Sequence, residues 1–403
     1  LVNPGFLKAH LRVDSEGRIA GPLRWKNNQH LPALQLTIDA RLQNAAQKAI
    51  RDGMNDSLGL GYHPTGGSAV VMNPYTGAIY ALASYPTFNE NLAVNDVRYR
   101  DKLYTNDPQS LLVNRAIAGV YPTGSTFKPI IAEAALSAGI ITPDTPQLCT
   151  GAFDLGGYIF HNVEAGVYES MTLHTALAQS CDTWFYRLGD RIYTADPARQ
   201  GTLIQEWARK LGLGSTPPID VTGASPGYLP GPGKTFEKLM GFPWTEGQTI
   251  NLAIGQGALQ VSPLQLAVAY STLVNGGTVV RPHVAYGSVR GDIVKPFHFK
   301  PVRHVKLTDV WAIKQGLYEA AHVGTSAAVF STFPIPVAGK TGTAESGPGR
   351  DDHSWYASYA PYNHPKIVVV AMIEHGGFGS EAAAPTVKEI YEAYFHIKHA
   401  PGT

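Results

Sequence analysis

Three short runs place hydroxyls and amines at spacings that could support acyl transfer. The first is Tyr121-Pro122-Thr123-Gly124-Ser125-Thr126-Phe127-Lys128. Residues three apart on a helix share a face, so Lys128 can lie beside the Ser125 hydroxyl. A serine becomes a good nucleophile only when a neighbouring base takes its proton, and a partly buried lysine can be that base. The free N–H groups at a helix start could hold a developing oxyanion. Alone, this spacing is more often an ordinary helix start followed by a solvated lysine. The second run is Ser180-Cys181-Asp182. Its hydroxyl could relay a proton to a leaving amine, and its carboxylate could orient Lys128 or a substrate, although Ser and Asp are also common caps. The third is Lys340-Thr341-Gly342-Thr343 within a strand pattern. Gly342 would let another backbone come close, and Lys340 with the Thr341 and Thr343 hydroxyls makes a pocket for a carboxylate.

Other groups have weaker patterns. Cys149, Asp154, His161 and Cys181, with His174 nearby, are adequate zinc ligands if folding gathers them, but their spacing matches no standard site. A buried Cys181 with a loop-exposed Cys149, or a disulfide between the two, remains open. Trp355 and Tyr356 could line a cleft or pack between strands. Gly376-Gly377-Phe378-Gly379-Ser380 lacks the lysine of a phosphate loop and reads as a turn. H-E-x-x-H is absent, which leaves a zinc-peptidase reading without support.

The elements that must carry these runs follow from periodicity. Leu34 to Asp39 is strand-like, and a helix continues over Ala40 to Asp52. Ser68 to Met72 and Ala78 to Ser84 read as strands around an Asn73-Pro74 turn, and residues 85 to 120 read as loop. A helix should begin near Gly124 and reach Ala138; others fit Leu173 to Leu188, Thr202 to Leu211, Pro263 to Val274 and Val310 to Ala321. Ser215 to Trp244, rich in Gly and Pro, reads as an irregular excursion. The chain then returns to strands at Val337 to Ala344, His353 to Ala360 and Lys366 to Glu374, and closes with a helix from Pro385 to His396. Strands at both ends with helices between predict an α+β fold, one antiparallel sheet covered by helices.

Composition limits the classes. The 403 residues include 32 Lys+Arg against 31 Asp+Glu, a net charge of +1 that argues against a nucleic-acid binder. Apolar residues at 44% support a large core, and two cysteines cannot build a disulfide framework. No stretch reaches the ~18 apolar residues of a membrane span, and the first residues lack the features of a signal peptide.

Together, S-x-x-K, S-x-[ND] and K-T-G in this order form the signature of the penicillin-recognising serine acyltransferases. The resemblance extends through Leu36-Thr37-Ile38-Asp39, Asn114-Arg115-Ala116, Ile254-Gly255-Gln256-Gly257, Pro263-Leu264-Gln265-Leu266-Ala267 and His353-Ser354-Trp355-Tyr356. The chain resembles class B penicillin-binding proteins, in particular the elongation-type penicillin-binding protein 2 branch. Asp182, where most relatives have Asn, and the run from Glu374-His375-Gly376-Gly377 to Ala382-Ala383-Ala384-Pro385 carry that narrower likeness.

The resemblance implies a peptidoglycan D,D-transpeptidase with the penicillin-binding transpeptidase fold over residues 34 to 403, preceded at residues 1 to 33 by a pedestal or linker remnant. It implies that Ser125 attacks D-Ala-D-Ala of a stem peptide and that Lys128 is the base. Ser180 and Lys340 would pass the proton to the leaving amine, with Asp182 beside them. Thr341, Gly342 and Thr343 would bind the terminal carboxylate, and the N–H groups of Ser125 and Thr343 would form the oxyanion hole. A neighbouring stem peptide's amine would accept the acyl group, β-lactams would acylate Ser125, and no cofactor or metal is required. The family implies an anchor in the cytoplasmic membrane, a catalytic domain on its outer side and a RodA-like glycan polymerase as partner; this chain would be a soluble piece lacking the anchor. A β-lactamase, a D,D-carboxypeptidase or a β-lactam sensor could use the same constellation, though no obvious glutamate motif for activating water is present.

Overall fold

The computed structural model describes residues 33–195 and 197–397, together with the paired strands Ala9–His10 and Arg24–Trp25. The pedestal remnant expected over residues 1 to 33 otherwise lies outside the described residues.

One antiparallel sheet organises the molecule. Its strands are β1 (Gly66–Met72), β2 (Ile79–Tyr85), β3 (Ala338–Ala344), β4 (His353–Ala360) and β5 (Ile367–Glu374), in the order β3-β4-β5-β1-β2. The early hairpin and the three late strands therefore pair, with β1 against β5 in a register that sets Val70 opposite Val370. Alternate residues feed two cores, as the period of a strand requires. Val70, Met72, Val368 and Val370 face one, while Ala69, Val71, Ile367 and Val369 face the other. With both faces covered, β1 and β5 read as nearly continuous apolar runs.

The second of these cores lies under α1 (Ala40–Gly59) and α7 (Ala383–Phe395). The first is covered by α2 (Lys128–Ser137), α3 (Leu173–Gln179), α4 (Asp182–Ala195), α5 (Pro263–Val274) and α6 (Val310–His322). Helix α5 has the bounds read from the sequence because its start is fully specified: Pro263 stands at the first position, and Ser262 and Gln265 cap each other reciprocally.

Several expectations are corrected. The helix expected over Leu173 to Leu188 is two helices, α3 and α4, broken where Ser180 takes the left-handed conformation at φ 58°. The strand Ala33–Leu36 pairs with Ala285–Arg290 in a separate three-stranded sheet rather than in the central one. Residues 85 to 120 contain helices at Glu90–Asn95 and Val97–Thr105, whose asparagine and aspartate caps satisfy their free N–H groups despite polar composition. The Gly- and Pro-rich excursion holds a short helix, Lys234–Met240, anchored by buried Phe236.

Candidate active site

Ser125 lies in a single 3-10 turn, Gly124–Phe127, that runs into α2. The turn is held from three sides. The N–H groups of Thr123 and Gly124 donate to the Gly255 carbonyl at 3.2 and 3.0 Å. The Tyr270 hydroxyl on α5 donates to the Thr126 carbonyl at 3.0 Å. On the third side β3 passes so close that a Cβ on Gly342 would sit 2.5 Å from the Thr123 carbonyl oxygen, and one on Gly124 would sit 2.4 Å from that of Thr343. Two glycines therefore bring the serine turn and the K-T-G strand into direct backbone contact.

The three runs meet at one cleft of about 650 Å³, lined by Ser125, Ser180, Asp182, Thr341 and Thr343 among others. Lys128 and Lys340 lie behind it, both fully buried. The Lys128 ammonium, 5.1 Å from the Phe185 ring centre, donates to the Ser180 carbonyl at 2.6 Å, to Asp182 Oδ1 at 2.7 Å and to Ser180 Oγ at 3.3 Å. Its three donors thus all go to the second motif. Burial lowers the Lys128 pKa from the ordinary lysine value, while the adjacent Asp182 carboxylate opposes that effect. Lys340 donates to the Thr341 carbonyl and hydroxyl at 3.2 and 3.3 Å. Burial, reinforced by the charge of Lys128, pushes its pKa well below the usual value. Thr341 Oγ1 donates in turn to Thr325 Oγ1 at 2.9 Å. The Thr343 hydroxyl accepts from Gly379 N at 3.3 Å, and its carbonyl accepts from Gln256 Nε2 at 3.2 Å.

Cys149 and Cys181 form a disulfide. Cys149 is buried on the strand Gln147–Thr150 rather than exposed in a loop, and with both sulfurs bonded to each other neither is left as a thiolate for zinc. Among the described residues no group of three or more His, Cys, Asp or Glu is arranged to hold a metal. Trp355 and Tyr356 are fully buried on β4 and pack in the cores instead of lining the cleft. Phe378, Gly379 and Ser380, read as a turn, do reach the cleft wall.

Sequence reasoning missed part of that wall. Asn162, Glu164 and Glu169 arrive on the excursion between Thr150 and Met171, and Thr325 on the turn after α6. Their composition gave no local signal, because only tertiary packing brings them to Ser125.

Residues 67–392 match the model of the penicillin binding protein transpeptidase domain. The chain belongs to this family. Among relatives of this transpeptidase domain, the peptidoglycan D,D-transpeptidase MrdA of Haemophilus influenzae is 29% identical over 409 residues, covering 96% of this chain and 60% of that protein. A solved structure described as the structural coordination of polymerization and crosslinking by a peptidoglycan synthase complex includes a similar chain. It is 32% identical with a TM-score of 0.84, over 98% of this chain and 68% of that one. The penicillin G acyl-enzyme complex of penicillin-binding protein A from Mycobacterium tuberculosis is 28% identical with a TM-score of 0.75, covering 90% and 80%. This transpeptidase-family chain spans about 60% of the length of the curated relatives it matches. Among its described residues no helix is long and apolar enough to cross a membrane.

Proposed function

We infer that this chain is the catalytic part of a peptidoglycan D,D-transpeptidase that forms a serine acyl-enzyme and is acylated by β-lactams. One observation carries the reading: the serine, the second-motif hydroxyl and the K-T-G threonines open onto one cleft, with two buried lysines directly behind it. Ser125 Oγ attacks the carbonyl carbon of the D-Ala-D-Ala bond while Lys128, once it has given up a proton, takes the hydroxyl proton. Burial of the ammonium works toward that neutral form. The Ser125 and Thr343 N–H groups hold the oxyanion. Ser180, within 3.3 Å of Lys128, passes the proton to the departing D-Ala nitrogen, with Lys340 as a further donor. Thr341 and Thr343 bind the terminal carboxylate, and the amine of a second stem peptide then attacks the ester and releases Ser125.

Residues 34–403 form the catalytic unit in this reading, with residues 1–33 joining it to the rest of a longer protein. The match to relatives named for peptidoglycan transpeptidation, and to a chain from a peptidoglycan synthase complex, supports a place beside a RodA-like polymerase on the outer face of the cytoplasmic membrane. Glu164, Glu169 and Glu345 line the cleft and give the hydrolytic alternative candidate bases for water. Intact mass after exposure to benzylpenicillin separates the readings. One slowly lost adduct, absent from Ser125→Ala, supports the transpeptidase; rapid loss with drug consumption indicates a β-lactamase; no adduct from any β-lactam class overturns the assignment of Ser125.

A further inference from the structure

Cys181 stands between Ser180 and Asp182, the two residues that receive the hydrogen bonds of Lys128. Its sulfur is bonded to Cys149, at the foot of the excursion that forms one wall of the cleft. Ser180 caps α3 in the left-handed conformation, φ 58° and ψ 31°, its N–H donating to the Leu177 carbonyl at 3.2 Å and that of Cys181 to the Ala176 carbonyl at 3.1 Å. The residues that follow this cap are held by the same excursion. Asp182 N donates to Asn162 Oδ1 at 2.8 Å. Thr150 N donates to Thr183 Oγ1 at 2.8 Å, and that hydroxyl donates back to the Thr150 carbonyl at 2.7 Å. Trp184 Nε1 donates to the Met171 carbonyl at 3.0 Å. The disulfide is the one covalent link in this set, and it crosses next to both Lys128 partners.

We propose that the Cys149–Cys181 disulfide is a positioning element for acylation, locking Ser180 and Asp182 against Lys128 so that Ser125 reacts fully only when the two sulfurs are joined. A dithiol reductant switches it: two electrons and two protons break the S–S bond and form two S–H groups, while the dithiol becomes a disulfide. The inference rests on the transpeptidase reading for its effect on the reaction, but not for the geometry it describes.

The test compares the oxidised protein, the protein reduced with dithiothreitol and the Cys149→Ser/Cys181→Ser variant, with intact mass reporting thiol state. Benzylpenicillin acylation is followed at several drug concentrations, which separates non-covalent affinity from the acylation rate constant. Misplacement of Lys128 and its partners should lower the rate constant about ten- to a hundredfold, with the affinity and final adduct yield kept, and reoxidation should restore it. A lower yield at an unchanged rate constant would mean a purely structural bond and overturn the proposal. So would an unchanged rate constant in the variant. If the oxidised protein forms no adduct, the transpeptidase reading has failed instead. Amide hydrogen exchange then decides the positioning: loss of protection at Asp182 and Thr150 on reduction supports it, and unchanged protection overturns it.

Discussion

Lys128 is pulled in two directions at the residue scale. Burial drives its ammonium toward the neutral amine that a base must be, and the Asp182 carboxylate 2.7 Å away favours the charged form. An asparagine at position 182 would keep an oxygen for the same hydrogen bond and lose the charge, so the lysine pKa would fall further. The rising limb of acylation rate against pH should therefore move to lower pH in Asp182→Asn. Stopped-flow acylation from about pH 5 to about pH 9 measures it. An unmoved limb would mean that Lys128 is not the base whose titration limits the step. The reading of Ser125, Lys128, Ser180, Lys340, Thr341 and Thr343 as one group was available from order and residue type alone. That Asp182 could orient Lys128 was legible too; that the other donors of Lys128 go to the Ser180 carbonyl and hydroxyl was not, since that depends on the left-handed turn at Ser180.

The site at the scale of elements is a contact between a 3-10 turn and a strand edge, and Gly342 permits it. In Gly342→Ala the new methyl group would meet the Thr123 carbonyl at 2.5 Å and Thr126 Cγ2 at 2.9 Å, both on the serine turn. The turn would have to move away from β3, costing about 1–3 kcal/mol and lowering the acylation rate constant with it. Gly59→Ala at the end of α1, where a Cβ meets nothing within 4 Å, is the control and should be neutral or slightly stabilising. Thermal melts and penicillin acylation of both variants check the pair. Elements were legible where local chemistry and packing agree: α5 has its proline and capping box, and β4 has the bounds read from the sequence. They were misread where tertiary contacts dominate. Nothing between Leu173 and Leu188 is a Gly or Pro, so periodicity continues through a break that the disulfide, Asn162 and Lys128 surround. Ala33–Leu36 has a strand's composition, but no local feature says which sheet it joins.

Two carboxylates, Glu133 fully buried and Glu374 partly so, tie distant parts of the chain together at the scale of the whole molecule, and their pH dependences have opposite signs. Glu374, at the end of β5, accepts from Tyr121 Oη at 2.6 Å, Arg115 Nε at 3.0 Å and Thr65 Oγ1 at 2.9 Å. Burial pushes its pKa up, but the Tyr121 hydrogen bond and the Arg115 charge outweigh it and hold the carboxyl below the usual glutamate value. A depressed carboxylate contributes stability above its unfolded pKa and loses it as pH falls through the folded value. Arg115→Met, which leaves that carboxylate its Tyr121 and Thr65 hydrogen bonds but no counter-charge, should cost about 1–3 kcal/mol near neutral pH and less in acid, where Glu374 can protonate. Glu133 on α2 is the reverse case. Its Oε1 accepts from Thr308 N and Ser137 Oγ, both at 2.8 Å, while buried Oε2 has no partner. Burial, with Asp309 adding to it, raises the pKa to about 7 against the opposing hydrogen bonds. A raised carboxyl gives its full contribution below the unfolded value of 4.5 and loses it as pH climbs through about 7. Denaturant midpoints should therefore fall as pH rises from about 4.5 to about 7 and level off above it. Glu133→Gln keeps an acceptor for Thr308 and Ser137 without the charge, so it should abolish most of this fall, a gain of about 2 kcal/mol above about pH 7 after partial solvent screening. An unchanged fall between about pH 4.5 and about pH 7 in this variant would place its cause elsewhere in the chain.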